Sequence, residues 1–170
     1  MYTIRNILVT TDFSEYSATA LEYAQALAAK TKATIQLLHV ITDHRRGGTP
    51  QVSRPQHETE ADAQMKKFVD EHVDEYTYVE QAVRTGNPAV EILRYAGEHE
   101  VDLIIIATHG RTGLAHILLG SVAEKVVRHS TVPVMTVKPS EFLEPLITVD
   151  DVANELHLTD EASGSGAAGE

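Results

Sequence analysis

A chain of 170 residues with 42% apolar content is long enough for one domain and can bury a core, so global disorder is excluded. It has no cysteine, which excludes disulfides and thiolate metal sites. The net charge of −11 is uneven: all 14 Lys and Arg lie at or before Lys138, and eight acids follow from Glu141 onward, so residues 1–140 carry −3 (14 basic against 17 acidic). That body lacks the basic face on which nucleic-acid binding depends, so no nucleic-acid partner is expected.

The opening MYTIRNILVTTDF is too short and too polar for a secretory signal, and no apolar run reaches the roughly 18 residues of a membrane helix. The expectation is a soluble cytoplasmic protein without membrane insertion. Residues 4–10 (IRNILVT) form a short buried strand. Ser14 is an N-cap candidate, and Ala20, Leu21, Ala24, Leu27 and Ala28 then recur at helical spacing. Residues 33–40 (ATIQLLHV) read as a second strand, and 41–56, with Gly47-Gly48 and two prolines, as a long exposed loop. Ala61, Met65, Phe68, Val69 and Val73 mark a second helix, and 76–85 alternates as a third strand. Asn87-Pro88 is a cap with proline at the first helical position, opening a helix to about Glu100. Residues 102–107 (DLIIIA) are continuously apolar, the mark of a strand buried on both faces. A helix over 121–129 and a strand over 132–138 close the series.

This alternation predicts an α/β fold: an open five-stranded parallel sheet with helices on both faces and right-handed crossovers. With strand order 3-2-1-4-5, the order reverses between the first and fourth strands, where such sheets hold ligands beyond their carboxyl ends. The first strand ends at Thr10-Thr11-Asp12 and the fourth at Ala107-Thr108-His109-Gly110.

After the fourth strand come Gly110, Gly113 and Gly120, with Ser121 opening the next helix. Glycines let backbone N–H groups close on an anion, and a helix start favours negative charge. Ser121-Val122-Ala123-Glu124 equally fits a capping box, Ser121 capping and Glu124 reaching back. The two readings are compatible, since a capped helix still has amides to spare.

The run A-T-H-G, nine residues, then G-S resembles the universal stress protein family motif G-x-x-G-x9-G-[S/T]. The resemblance extends over nearly all of residues 1–138, taking in T-T-D-F-S, the H-V closing the second strand, and H-S-T-V-P-V-M-T-V-K. It implies an adenine nucleotide alpha hydrolase-like fold, a homodimer, and membership of the branch that binds ATP. Carried onto this sequence, Thr10, Thr11 and Asp12 would lie at the adenosine end, with Asp12 as the polar anchor. Val40 would offer backbone hydrogen bonds to the adenine edge. Ile106, Ala107 and Gly110 would flank the ribose and phosphates, and Gly120, Ser121 and Val122 would cradle the phosphates. His109 would shape the glycine loop, which also carries Gly113 and the cation Arg111. Ala107 departs from the family, which has glycine there: its methyl either crowds the nucleotide or is harmless if φ is negative. Thr10 stands where many members have proline.

Other signals are weaker. The chain has no Walker A lysine, and the G-x-G-x-x-G at 164–169 lacks a strand before it and a helix after it. Nine histidines include no H-x3-H pair and no H-E-x-x-H, so no protein metal site is expected. Mg or Mn would arrive on the nucleotide's phosphates. ATP is the expected cofactor, with AMP and ADP as alternatives. Strand 132–138 is expected at a sheet edge, where pairing with a second copy is the preferred reading and cover by the tail the bland one. Domain limits are 1–140 for the nucleotide-binding domain and 141–170 for an acidic extension with a short helix at about 148–158 and a disordered end. The expected function is a nucleotide-dependent stress-response signalling and binding module in which nucleotide orders the loop 108–119 for an unknown protein partner. The rivals are a slow ATPase or autokinase in the same pocket and a nucleotide-free dimeric interaction protein.

Overall fold

A computed structural model describes residues 3–42, 55–109 and 119–138. The acidic extension and its expected helix lie outside the described residues, as do Gly110, Arg111, Gly113 and most of the loop after β2. Nine elements follow in order: β1 (Asn6–Thr11), α1 (Glu15–Thr31), β2 (Thr34–Thr42), α2 (Pro55–His72), β3 (Val79–Gly86), α3 (Pro88–Glu98), β4 (Leu103–Ala107), α4 (Ser121–His129) and β5 (Val134–Val137). The sheet order is β3-β2-β1-β4-β5, and every pairing is parallel.

Strand parity builds the two faces. Ile7 and Val9 of β1, Ile35 and Leu37 of β2 and Leu103 and Ile105 of β4 pack with Leu21 and Ala24 of α1 and Met65 and Phe68 of α2. The intervening Leu8, Leu38, Ile104 and Ile106 pack on the opposite face with Ile92 and Tyr95 of α3 and Ala123 and Val126 of α4. β4 has no polar side because both of its faces are covered.

The helix starts follow local chemistry. The Ser14 hydroxyl accepts from the Ser17 amide, and Asn87 accepts from the Val90 amide with Pro88 in the first turn. All five strands start later than the sequence predicts, and for β3 and β5 a turn accounts for it. Residues before Val79 are taken by a turn in which the Thr77 amide donates to the Asp74 carbonyl at 2.9 Å. Before β5, the Ser130 hydroxyl donates to the Val132 carbonyl at 2.7 Å and accepts from its amide at 3.2 Å, so Val132 belongs to a turn and not to the strand.

The far end of the β1–β4 seam is fastened by one carboxylate. Asp102 accepts from the Arg5 amide at 2.7 Å and the Asn6 amide at 3.0 Å. Those two N–H groups, Arg5 first, hold its carboxyl below the ordinary 3.8. A depressed carboxylate pKa stabilises the fold at neutral pH, and the contribution is lost as pH falls through the folded-state value. Asp102→Ala is therefore expected to cost about 1 kcal/mol at pH 7, discounted for solvent exposure. Denaturant midpoints measured across pH should show the gap from wild type closing as pH falls below the ordinary carboxylate range.

Candidate functional site

The pairing between β1 and β4 stops short of the strands' ends. Ile7, Leu8 and Val9 pair with Leu103, Ile104 and Ile105, and there the ladder ends. Thr10 and Thr11 continue with Leu38 and His39 of β2, whereas Ile106 and Ala107 continue with Thr136 and Val137 of β5. The two central strands thus diverge at their carboxyl ends and leave a crevice where the strand order reverses. β2 also outruns β1: Val40, Ile41 and Thr42 pair with β3 alone, so the β1-facing edge of their backbone carries no ladder. An edge of this kind can offer main-chain hydrogen bonds to a planar ring.

On the β1 side, the chain turns sharply from strand to helix. Phe13 adopts a left-handed φ of 64°, with its ring stacked on His39 at 4.2 Å and edge-on to Phe68 at 5.9 Å. This turn leaves Asp12 half-buried at the rim, its Oδ1 accepting from the amide and hydroxyl of Ser14. Thr11 is used differently. Its buried hydroxyl bonds Ser17 at 2.8 Å and accepts from the Phe13 amide, while its carbonyl meets His39 Nδ1 at 2.8 Å. Thr11 therefore fixes the turn with its side chain.

On the β4 side, the Thr108 amide donates to the Val137 carbonyl at 2.9 Å and the Thr108 carbonyl accepts from the Gly120 amide at 2.7 Å. That second bond brings the start of α4 back to the end of β4. His109 is buried, bonded through Nδ1 to the Thr108 hydroxyl at 2.9 Å and edge-on to Tyr16. Gly120 has an ordinary φ of −63°. What requires glycine there is space, because a Cβ would lie 2.9 Å from the Thr108 carbonyl oxygen.

The expected capping box does not form. Gly120 is the N-cap and Ser121 the first helical residue, with no side-chain cap. Glu124 accepts instead from Arg128 at 3.0 Å, one turn along an exposed face. The Ser121 hydroxyl lies past the cap position, so it cannot reach the amides a cap would satisfy. The first intrahelical bond runs from the Glu124 amide to the Gly120 carbonyl, which leaves the amides of Ser121, Val122 and Ala123 without an intrahelical acceptor. Three open donors and the positive end of the helix dipole fit an anion.

The faces sort the expected site residues. Val40 and Ile106 are buried in the α3/α4 cluster, against which Val122 also packs, and Thr10 follows Leu8 onto that side by strand parity. Ala107 packs with the α1/α2 cluster, and its φ is not positive. Its methyl therefore faces away from α4, so alanine in place of the family's glycine leaves the α4 side of the crevice open. Sequence reasoning missed Phe13 and the Thr108 and Val137 carbonyls. A left-handed φ on phenylalanine and main-chain acceptors leave no mark in residue types. Among the described residues, no group of three or more His, Asp or Glu could hold a metal ion. No helix among them is long and apolar enough to cross a membrane.

Residues 3–138 match the model of the Universal stress protein family. Universal stress protein MJ0577 of Methanocaldococcus jannaschii is 33% identical, the match covering 79% of this chain and 94% of that protein. The solved structure of MJ0577 superimposes with a TM-score of 0.66 at 31% identity, covering 81% of this chain and 98% of that one. Two more distant structures share the fold. A universal stress protein in complex with cAMP has a TM-score of 0.62 at 23% identity, covering 80% of this chain and 98% of its own. The Archaeoglobus fulgidus universal stress protein in complex with dAMP has a TM-score of 0.60 at 19% identity, with the same coverages of 80% and 98%.

Proposed function

The chain belongs to the universal stress protein family, and from that membership we propose that it binds ATP in the crevice between β1 and β4 and uses the bound nucleotide as a signal. The observation that carries this reading is the divergence of β1 and β4 after Val9 and Ile105, with three open amides of α4 drawn to its rim by the Gly120–Thr108 bond. Fold relatives in complex with cAMP and dAMP support an adenine nucleotide. The spacing from Ala107 and Gly110 to Gly120 and Ser121 favours a triphosphate.

In this reading the ladder-free edge at Val40 meets the adenine, and Asp12 and Thr10 stand at the adenosine end. Ile106 and Ala107 line the ribose, and the amides of Ser121 and Val122 hold phosphate. Gly120 acts through its closeness to Thr108, since its own amide is already engaged. Gly110, Arg111 and Gly113 complete the cradle, His109 bracing its first turn. Mg or Mn would come with the phosphates. The module signals because a partner binds the nucleotide-ordered loop 108–119 more tightly than the free one. The outer edge of β5, unpaired among the described residues, supports homodimerisation through 132–138.

Millimolar Mg-ATP is expected to raise the unfolding free energy, by about 2.7 kcal/mol at a hundredfold excess over Kd. Small molecules released from the purified, denatured protein should run as ATP on anion exchange. ADP with stoichiometric phosphate would replace the module by a slow ATPase, and phosphate on the protein would make it an autokinase. No nucleotide and no Mg-ATP shift would leave a dimeric interaction protein and overturn the reading.

A further inference from the structure

β3 is the other edge of the sheet: among the described residues it pairs only with β2. Its sequence, VEQAVRTG, holds two charges, Glu80 and Arg84, placed symmetrically about Ala82. All three share one face by strand parity, and Glu80 and Arg84 are exposed. An antiparallel copy centred on Ala82 sets each Glu80 opposite Arg84 of the other chain, and each Arg84 opposite Glu80. Tyr78, just before the first paired residue of β3, is 74% exposed. Tyr76, in the turn before β3, is 92% exposed. Two open tyrosines next to an unpaired edge suit an interface better than a solvated surface.

We propose that β3 is a self-complementary docking edge for a second copy of this chain, joining two sheets through an antiparallel β3–β3 pair. The contact is separate from the β5 edge and from the crevice, and it does not depend on nucleotide. The competing role for Glu80 and Arg84 is to keep other strands off the edge. The salt bridge from Arg84 to Glu98 at 3.4 Å is solvent-exposed, so it does not hold Arg84 back from a second partner.

The two roles separate cleanly because the chain has no cysteine. In the proposed register only residue 82 faces itself, with Cα atoms about 5 Å apart, within disulfide range. Residue 80 would be about 14 Å from its own copy along the strands. Ala82→Cys in the full-length protein should give a disulfide-linked dimer under mild oxidation, and Glu80→Cys should not. In a cysteine-free background, Glu80→Arg or Arg84→Glu alone should weaken association about tenfold or more by sedimentation velocity, and the double reversal should restore it. Far-UV circular dichroism would establish that each variant is folded. The proposal is overturned if Ala82→Cys cross-links no faster than Glu80→Cys. It is equally overturned if the double reversal associates no better than the single ones, or if all four proteins associate alike.

Discussion

Gly120→Ala is expected to destabilise the domain by about 1–3 kcal/mol, and Gly120→Val by more, with nucleotide binding lost in both. The cause is steric. A Cβ at 120 would sit 2.9 Å from the Thr108 carbonyl oxygen, which already accepts from the Gly120 amide. That carbonyl has little room to yield, because the Thr108 amide is held by Val137 of β5. Either β4 bends or α4 withdraws, and withdrawal carries the open amides off the rim. Urea midpoints would measure the stability loss, and isothermal titration with Mg-ATP the binding loss. A Gly120 variant alone confounds the two, so Ser121→Pro is the companion test. Proline is accepted at a first helical position, and the extended backbone of Gly120, with ψ at 151°, suits a residue before proline. It removes one donor from the rim and no intrahelical bond. Its expected signature is near-native stability with affinity reduced roughly 10- to 100-fold, the worth of one charge-assisted hydrogen bond.

Phe68→Ala should have the largest effect on stability alone, about 3–5 kcal/mol. At this size the melting temperature would fall by about 10 °C or more. Phe68 is 4% exposed, and its ring touches Phe13 on one side and His72 on the other at 4.7 Å. Among the described side chains of α2, only Ala61, Met65 and Phe68 are buried, so removing the ring takes away much of the helix's attachment. Phe13 would lose a support for its left-handed turn next to Asp12. Hydrogen exchange should accelerate first in α2 and at residues 11–14. Uniform acceleration through β4 and β5 would mean that the ring supports the whole domain and not α2 alone.

The fold was legible because its signals are local and redundant. DLIIIA is apolar throughout since β4 is covered twice, and Ser14 and Asn87-Pro88 cap where their chemistry predicts. Sheet order followed from alternation and the family resemblance together. The site was less legible because it is built by approach between distant segments. Ser-x-x-Glu at 121–124 carries the chemistry of a capping box, yet the pull of Thr108 on Gly120 shifts the cap back by one residue. Ala107 could not be judged alone, although its parity with Leu103 and Ile105 places its methyl once β4 is known. Thr11 reads as a ligand residue by position, but its hydroxyl is spent on Ser17.

The short ladder between β1 and β4 has a mechanical consequence. Six register pairs join β1 to β2 and eight join β2 to β3, but only three hold β1 to β4. The centre of the sheet is therefore stitched at one end of β1 and β4 and unstitched at the other. Asp102 closes the stitched end through Arg5 and Asn6. The opposite end gapes, and a guest lodged there becomes the missing stitch. Its arrival would add a link between β1 and β4 where their own ladder supplies none.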